Sequence, residues 1–206
     1  VLFRTTLSEG SKFIQDRFLS NNDGAEAVLA QAYLMDSLIK AALETVDTKL
    51  YRAPNPTRGE QLCIIAVGGY GRGELAPFSD IDLLFLLPYK QTPRVEQVVE
   101  TILYLLWDMK LKVGHSTRSI DECMRQAKAD MTVRTAILES RYICGEISLM
   151  EQMIARFREE IIKGSALEFV EAKLKESDDR HRQLGDSRYV IAVSYTHLRA
   201  HETCTN

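Results

Sequence analysis

Neither positive nor negative residues dominate this chain: its 206 residues hold 26 Lys and Arg against 29 Asp and Glu, a formal net charge of −3. That balance implies no strong nucleic-acid or membrane field. Long apolar runs are missing too. None reaches the length that spans a bilayer, and no stretch has the make-up of a secretory signal. The four cysteines, Cys63, Cys123, Cys144 and Cys204, show no paired metal spacing. Cys63 and Cys144 sit among apolar neighbours, as inert core thiols do, so a reduced, cytoplasmic setting is expected. The glycine-rich stretch Gly68–Gly73 is no Walker A loop, because no Lys-Ser/Thr follows it. Nor is it a dinucleotide fingerprint, since Pro77 interrupts any helix starting after the glycines. The chain opens on Val1 rather than Met, which reads as a fragment.

What is present is concentrated between Leu62 and Leu87. Leu62-Cys63-Ile64-Ile65-Ala66-Val67 is a short apolar run. Gly68-Gly69-Tyr70-Gly71-Arg72-Gly73 follows, and then Ser79-Asp80-Ile81-Asp82 leads into Leu83-Leu84-Phe85-Leu86-Leu87, stopped by Pro88. Apolar runs bounded by Gly and Pro suit buried strands. The reading is strand, glycine turn, then a strand that opens on two aspartates. Side chains alternate along a strand, so Asp80 and Asp82 point the same way. Paired carboxylates repel unless a cation lies between them, and Mg²⁺ suits oxygen ligands. Glycines bring backbone N–H groups close to a polyphosphate, and Arg72 could add a charged fork. Alone, each half fits a tight loop or a solvated strand end; together they point to phosphoryl or nucleotidyl transfer.

The rest of the chain flanks this core. Residues 6–20 and 24–50 read as helices. The second carries an apolar face through Val28, Ala32, Met35, Leu38, Ile39, Ala42, Leu43 and Val46, with Asp23 as its cap. Residues 51–60 form a linker in which Arg52 and Arg58 are expected to be solvated. Pro93–Trp107 reads as a covering helix, and Lys110–Ser116 as the next strand. At that strand's end His115, Ser116 and Arg118 are placed for nucleotide or phosphate contact. Residues 119–184 read as largely helical, with capping boxes at Ser119–Glu122 and Ser165–Glu168. Asp130–Arg134 starts a short helix there. Ile147, Met150, Ile154, Phe157 and Ile161 form an amphipathic stripe that Gly164 stops.

The Gly-Gly and Asp-x-Asp pattern resembles the DNA polymerase β-like nucleotidyltransferase superfamily. The longer string GGYGRGELAPFSDIDLLFL is similar to the bacterial PII protein uridylyltransferases (uridylyltransferase/uridylyl-removing enzymes). Leu106-Trp107-Asp108-Met109-Lys110-Leu111-Lys112-Val113-Gly114-His115-Ser116-Thr117-Arg118 and Asp121-Glu122-Cys123 are similar to the same family. The resemblance covers roughly residues 20–190. It implies an α+β fold, a polymerase β-like core with a small mixed sheet and helices, flanked by N- and C-terminal helical segments. It divides the chain into a helical segment and linker (1–58), a core (59–118) and a truncated helical region (119–192). It also implies transfer of UMP from UTP to a tyrosine of the PII signalling protein, releasing pyrophosphate. Asp80 and Asp82 would hold Mg²⁺. Gly68, Gly69 and Arg72 would hold the triphosphate, with Ser79 orienting the turn.

Arg134, Glu139 and Arg141 fall in the region that closes over the base in superfamily members. The superfamily's usual third carboxylate has no counterpart on Lys110–His115. Asp108 and Asp121 flank that strand, and the residues do not choose between them. Transfer of another nucleotide, such as adenylyl transfer to a protein or small molecule, and an inactive nucleotide-binding fragment stay open. Nothing matches the family's HD-type hydrolase or ACT domains, so deuridylylation and glutamine control are not expected. Residues 193–206 begin Val-Ser-Tyr-Thr-His-Leu-Arg-Ala-His-Glu-Thr, which reads as a translated sequencing adapter and is set aside.

Overall fold

The apolar runs on either side of the glycine turn form the two central strands of a four-stranded mixed sheet, β1 (Cys63–Ala66) and β2 (Ile81–Leu87), with β3 (Val113–Ser119) outside β2 and β4 (Arg141–Gly145) outside β1. The computed structural model describes residues 2–52 and 57–183. The adapter-like tail lies outside the described residues. The chain falls into two units, one ending at Ile161 and the other starting at Ile162. The second holds helix α8 (Ala166–Gln183).

The first unit opens with a helical pair, α1 (Leu2–Asn21) and α2 (Gly24–Thr45). Asp23 caps α2 by accepting from the Glu26 N–H, and a π-helical turn, Val46–Leu50, extends it. The sheet begins with β1 (Cys63–Ala66). A short helix, α3 (Gly68–Gly71), carries the glycine turn into β2 (Ile81–Leu87). Helix α4 (Pro93–Asp108) starts on a Thr92 cap and a first-turn proline, then leads to β3 (Val113–Ser119). Helices α5 (Ile120–Ala129) and α6 (Met131–Leu138), strand β4 (Arg141–Gly145) and helix α7 (Ile147–Phe157) complete the unit.

Strands β1 and β2 are antiparallel, as are β1 and β4, whereas β2 and β3 run parallel. Alternation gives the sheet two buried faces. Ile64, Ala66, Ile81, Leu83, Phe85 and Leu87 pack with the apolar faces of α2 and α4. Cys63, Ile65, Leu84 and Leu86 point the other way, and α5 and α7 pack against the sheet. Burial raises the Cys63 thiol to about 12 and the Cys144 thiol to about 12. Both are protonated and inert at neutral pH.

Three expectations are corrected. The segment read as helical contains β4, the fourth strand of the core sheet. Its Tyr142-Ile143-Cys144 run is too short to show a period, and its partner β1 is distant in sequence. The strand expected at 110–116 begins at Val113, because Lys110 sits at φ 62° in the turn that leaves α4. The buried stripe of α7 is Leu149, Met153 and Phe157, with Ile161 beyond the helix. Ile147 is half exposed.

Candidate active site

The glycine turn and the aspartates converge at one end of the sheet. The Val67 N–H donates to the Asp82 carbonyl at 3.1 Å, which ties the exit of β1 to the entry of β2. Gly68 then turns at φ 61°, a conformation that side chains disfavour. Strand β2 starts at Ile81, so Asp80 stands just before it and Asp82 is its second residue.

Asp82 is enclosed by two glycines. A Cβ on Gly68 would lie 3.3 Å from its Oδ2, and a Cβ on Gly114 would lie 2.3 Å from its Oδ1. The carboxylate therefore leans across Gly114, its register partner on β3. Burial first, and the nearby Asp80 second, raise the Asp82 pKa. Among the described residues neither carboxylate is hydrogen-bonded or ion-paired. Two like charges held together with no protein cation fit a divalent ion. Mg²⁺ is held by one or two carboxylates and completes its shell with phosphate oxygens and water, so this donor set fits it. No cluster of three or more His, Cys, Asp or Glu side chains joins them among the described residues.

The turn supplies donors. The N–H groups of Gly71, Arg72 and Gly73 bond back into it. Those of Gly68, Gly69 and Tyr70 have no acceptor among the described residues. Arg72, half exposed, pairs with Glu139 at 2.9 Å and more loosely with Glu74 at 3.8 Å. Its guanidinium is thus shared with an acid at the end of α6. Ser79 is exposed, and its N–H closes a turn onto the Ala76 carbonyl at 3.1 Å.

The structure does not bring His115 to the aspartates. Strand alternation turns it to the opposite face, where its ring meets Trp107 at 5.9 Å. Arg118 shares the Asp82 face but pairs with Leu86, about 13 Å along the strand from Gly114 at ~3.3 Å per residue. Neither suggested third acid is offered. Asp121 follows β3 at the far end of the sheet and pairs with Arg156 at 2.6 Å, while Asp108 pairs with Arg4 at 2.5 Å. Arg134 donates to the Ala127 carbonyl at 2.7 Å, at the end of α5.

Two features of the site were not legible in the sequence. The first is a partly buried network behind the glycine turn. Asp36 on α2 accepts from the Tyr70 hydroxyl at 2.6 Å and from Arg141 at 2.6 and 3.1 Å. Arg141 also donates to the Tyr70 carbonyl at 3.2 Å and stacks on the Tyr70 ring. Its hydrogen bonds to Asp36 raise its pKa, and burial followed by Asp36 raises that of Tyr70. The turn is thereby pinned to α2 and β4 at once. The second is Phe78, an exposed aromatic at φ 67° beside Asp80.

A turn whose N–H donors have no acceptor among the described residues thus lies at the same end of the sheet as two carboxylates without partners among them, a donor set suited to phosphate and a cation. Comparison agrees: residues 57–143 match the family model described as nucleotidyltransferase domain. Residues 57–143 are therefore similar to a nucleotidyltransferase domain.

More particularly, the chain is homologous to proteins named bifunctional uridylyltransferase/uridylyl-removing enzyme. It is 55% identical to that of Azospirillum brasilense, over 91% of this chain and 20% of the relative. It is 51% identical to that of Rhodospirillum rubrum (92% and 20%) and 47% identical to that of Rhodopseudomonas palustris (93% and 21%). The chain spans about a fifth of the length of these curated relatives.

Proposed function

We propose that this chain transfers UMP from UTP to a tyrosine hydroxyl of the PII signalling protein, releasing pyrophosphate, with Mg²⁺ held at Asp80 and Asp82. The observation that carries the reading is the unpaired Asp82 carboxylate between Gly68 and Gly114, with Asp80 beside it. The choice of uridylyl group and of PII as acceptor rests on the names of the relatives and the motifs they share. The N–H groups of Gly68, Gly69 and Tyr70 donate to phosphate oxygens, as oriented backbone donors do. Arg72 adds positive charge over the turn and keeps its side chain placed through Glu139. Asp80 and Asp82 would hold the cation, and Ser79 orients the loop before them. When bound, the cation neutralises phosphate oxygens and lowers the pKa of the attacking hydroxyl.

The test offers UTP or ATP with Mg²⁺ and PII, and maps the modified residue by mass spectrometry. A uridylyl group on a PII tyrosine, formed with UTP and not with ATP, is expected. An adenylyl group in its place would move the assignment to another nucleotidyltransferase. A second reading, a fragment that holds nucleotide without turnover, is favoured by the absence of a third acid beside the pair among the described residues. Mg²⁺-dependent UTP binding with no transfer would support it.

A further inference from the structure

Strand β3 ends the sheet. Its inner edge pairs with β2 without a break from Ile81↔Val113 to Leu87↔Ser119. At its last residue the outward Ser119 N–H donates to Glu122 Oε2 at 2.8 Å, and among the described residues nothing bonds to the rest of its outer edge, the backbone of Val113, His115 and Thr117. Such an edge is a ready template for another strand, and proteins usually blunt it with lysine, proline or a bulge. Val113-Gly114-His115-Ser116-Thr117-Arg118-Ser119 has no lysine, proline or bulge, and its one charged residue, Arg118, stands toward the end away from Asp82.

Both faces beside this edge are dressed for a guest. On the α4 face, Tyr104 meets Trp107 edge-on at 5.7 Å and Trp107 meets His115 at 5.9 Å. This aromatic ledge is open: Tyr104 is 64% exposed and Trp107 43%. On the other face the Asp82 carboxylate leans across Gly114, which is exposed and has no side chain to screen it.

We propose that the outer edge of β3 binds an extended segment of the acceptor polypeptide, which adds as a fifth strand and carries its hydroxyl to the aspartates. The inference rests on the reading of the site as one that modifies a protein hydroxyl. Strands lie about 4.8 Å apart, so the guest backbone would run roughly 10 Å from that of β2. Across Gly114, a tyrosine side chain covers most of that distance, whereas a serine falls short. Residues alternating with the acceptor would turn onto Trp107 and Tyr104, so backbone pairing gives affinity and the ledge gives selectivity.

Trp107 is the sole tryptophan, so its emission reports on the ledge directly. The full chain is titrated with PII protein, following Trp107 emission and amide hydrogen exchange over residues 113–119. Transfer kinetics are then compared for wild type, Trp107→Ala and Trp107→Phe. Expected are a saturable emission change, slowed exchange along β3, and an acceptor KM raised at least about tenfold in Trp107→Ala. The KM for UTP should stay unchanged, and Trp107→Phe should recover part of the loss. Transfer that proceeds with unchanged exchange over 113–119 and an unchanged acceptor KM overturns the proposal and leaves the transferase reading standing. Slowed exchange and an emission change without transfer support the docking and sink the transferase reading instead. Slowed exchange without PII, in a chain that sediments as a dimer, assigns the edge to a second copy and overturns the proposal.

Discussion

Gly114→Ala should separate activity from stability more cleanly than any other single change. The new Cβ would lie 2.3 Å from Asp82 Oδ1, so the carboxylate must retreat by about 1 Å to restore ordinary contact. The obstacle is the end of a side chain, which can rotate, and Gly114 sits exposed on an edge strand. An off-rotamer Asp82 costs about 0.5–1.5 kcal/mol. Replacing a strand glycine by alanine returns about 0.5–1 kcal/mol of chain entropy. The two nearly cancel, and Tm should stay within about 3 °C of wild type. Catalysis does not cancel, because a misplacement of about 1 Å costs on the order of a hundredfold in rate. Thermal unfolding and nucleotidyl transfer, measured on one preparation, decide it. A variant that transfers at the wild-type rate refutes the placement of Asp82. A variant that loses stability in step with activity refutes the argument that only the carboxylate moves.

The same physics predicts a contrast at Gly71. There an added Cβ would lie 2.0 Å from the Glu139 carbonyl oxygen and 3.0 Å from that of Ala66, both backbone atoms. Gly71→Ala should lower stability by about 3 kcal/mol or more, visible as a shifted denaturant midpoint. Asp36→Asn leaves Arg141 facing a neutral amide and weakens its hold on the turn. Arg141 is 30% exposed, so the loss should be about 2–3 kcal/mol rather than the ~3–5 of a fully buried pair, again read by denaturant unfolding. Asp82 gives a signed pH effect. Burial and Asp80 raise its pKa, so the folded chain holds that proton more tightly than the unfolded one. Stability from this group is present at low pH and is lost as pH rises from the ordinary carboxylate range through the raised pKa. Asp82→Asn should therefore raise Tm at neutral pH without Mg²⁺, give no rise well below that range, and abolish transfer. An unchanged neutral-pH Tm would contradict the assigned environment.

Local chemistry was legible in the sequence. The glycines, the turn and Asp80-Ile81-Asp82 are contiguous, and the apolar runs beside them mark β1 and β2. What depends on register was not. The start of β3 at Val113 decides that Gly114 faces Asp82 and His115 faces Trp107, and it follows a turn at Lys110 that no periodicity announces. Pairing across the chain was hidden for a different reason. Asp36 and Arg141 are separated by 105 positions, and no period links them. Strand β4 was hidden likewise, since five residues flanked by helices carry too short a pattern to distinguish from a helix end.

The proposed nucleotidyl transfer takes place at Asp80 and Asp82. The measurement that tests it most directly is transfer of label from α-labelled UTP to PII with Mg²⁺, by the wild-type chain beside an Asp80→Asn/Asp82→Asn variant of matching circular dichroism. Mg²⁺-dependent labelling by the wild type and none by the variant is expected. Equal labelling by both would place the chemistry elsewhere and overturn the assignment of Asp80 and Asp82.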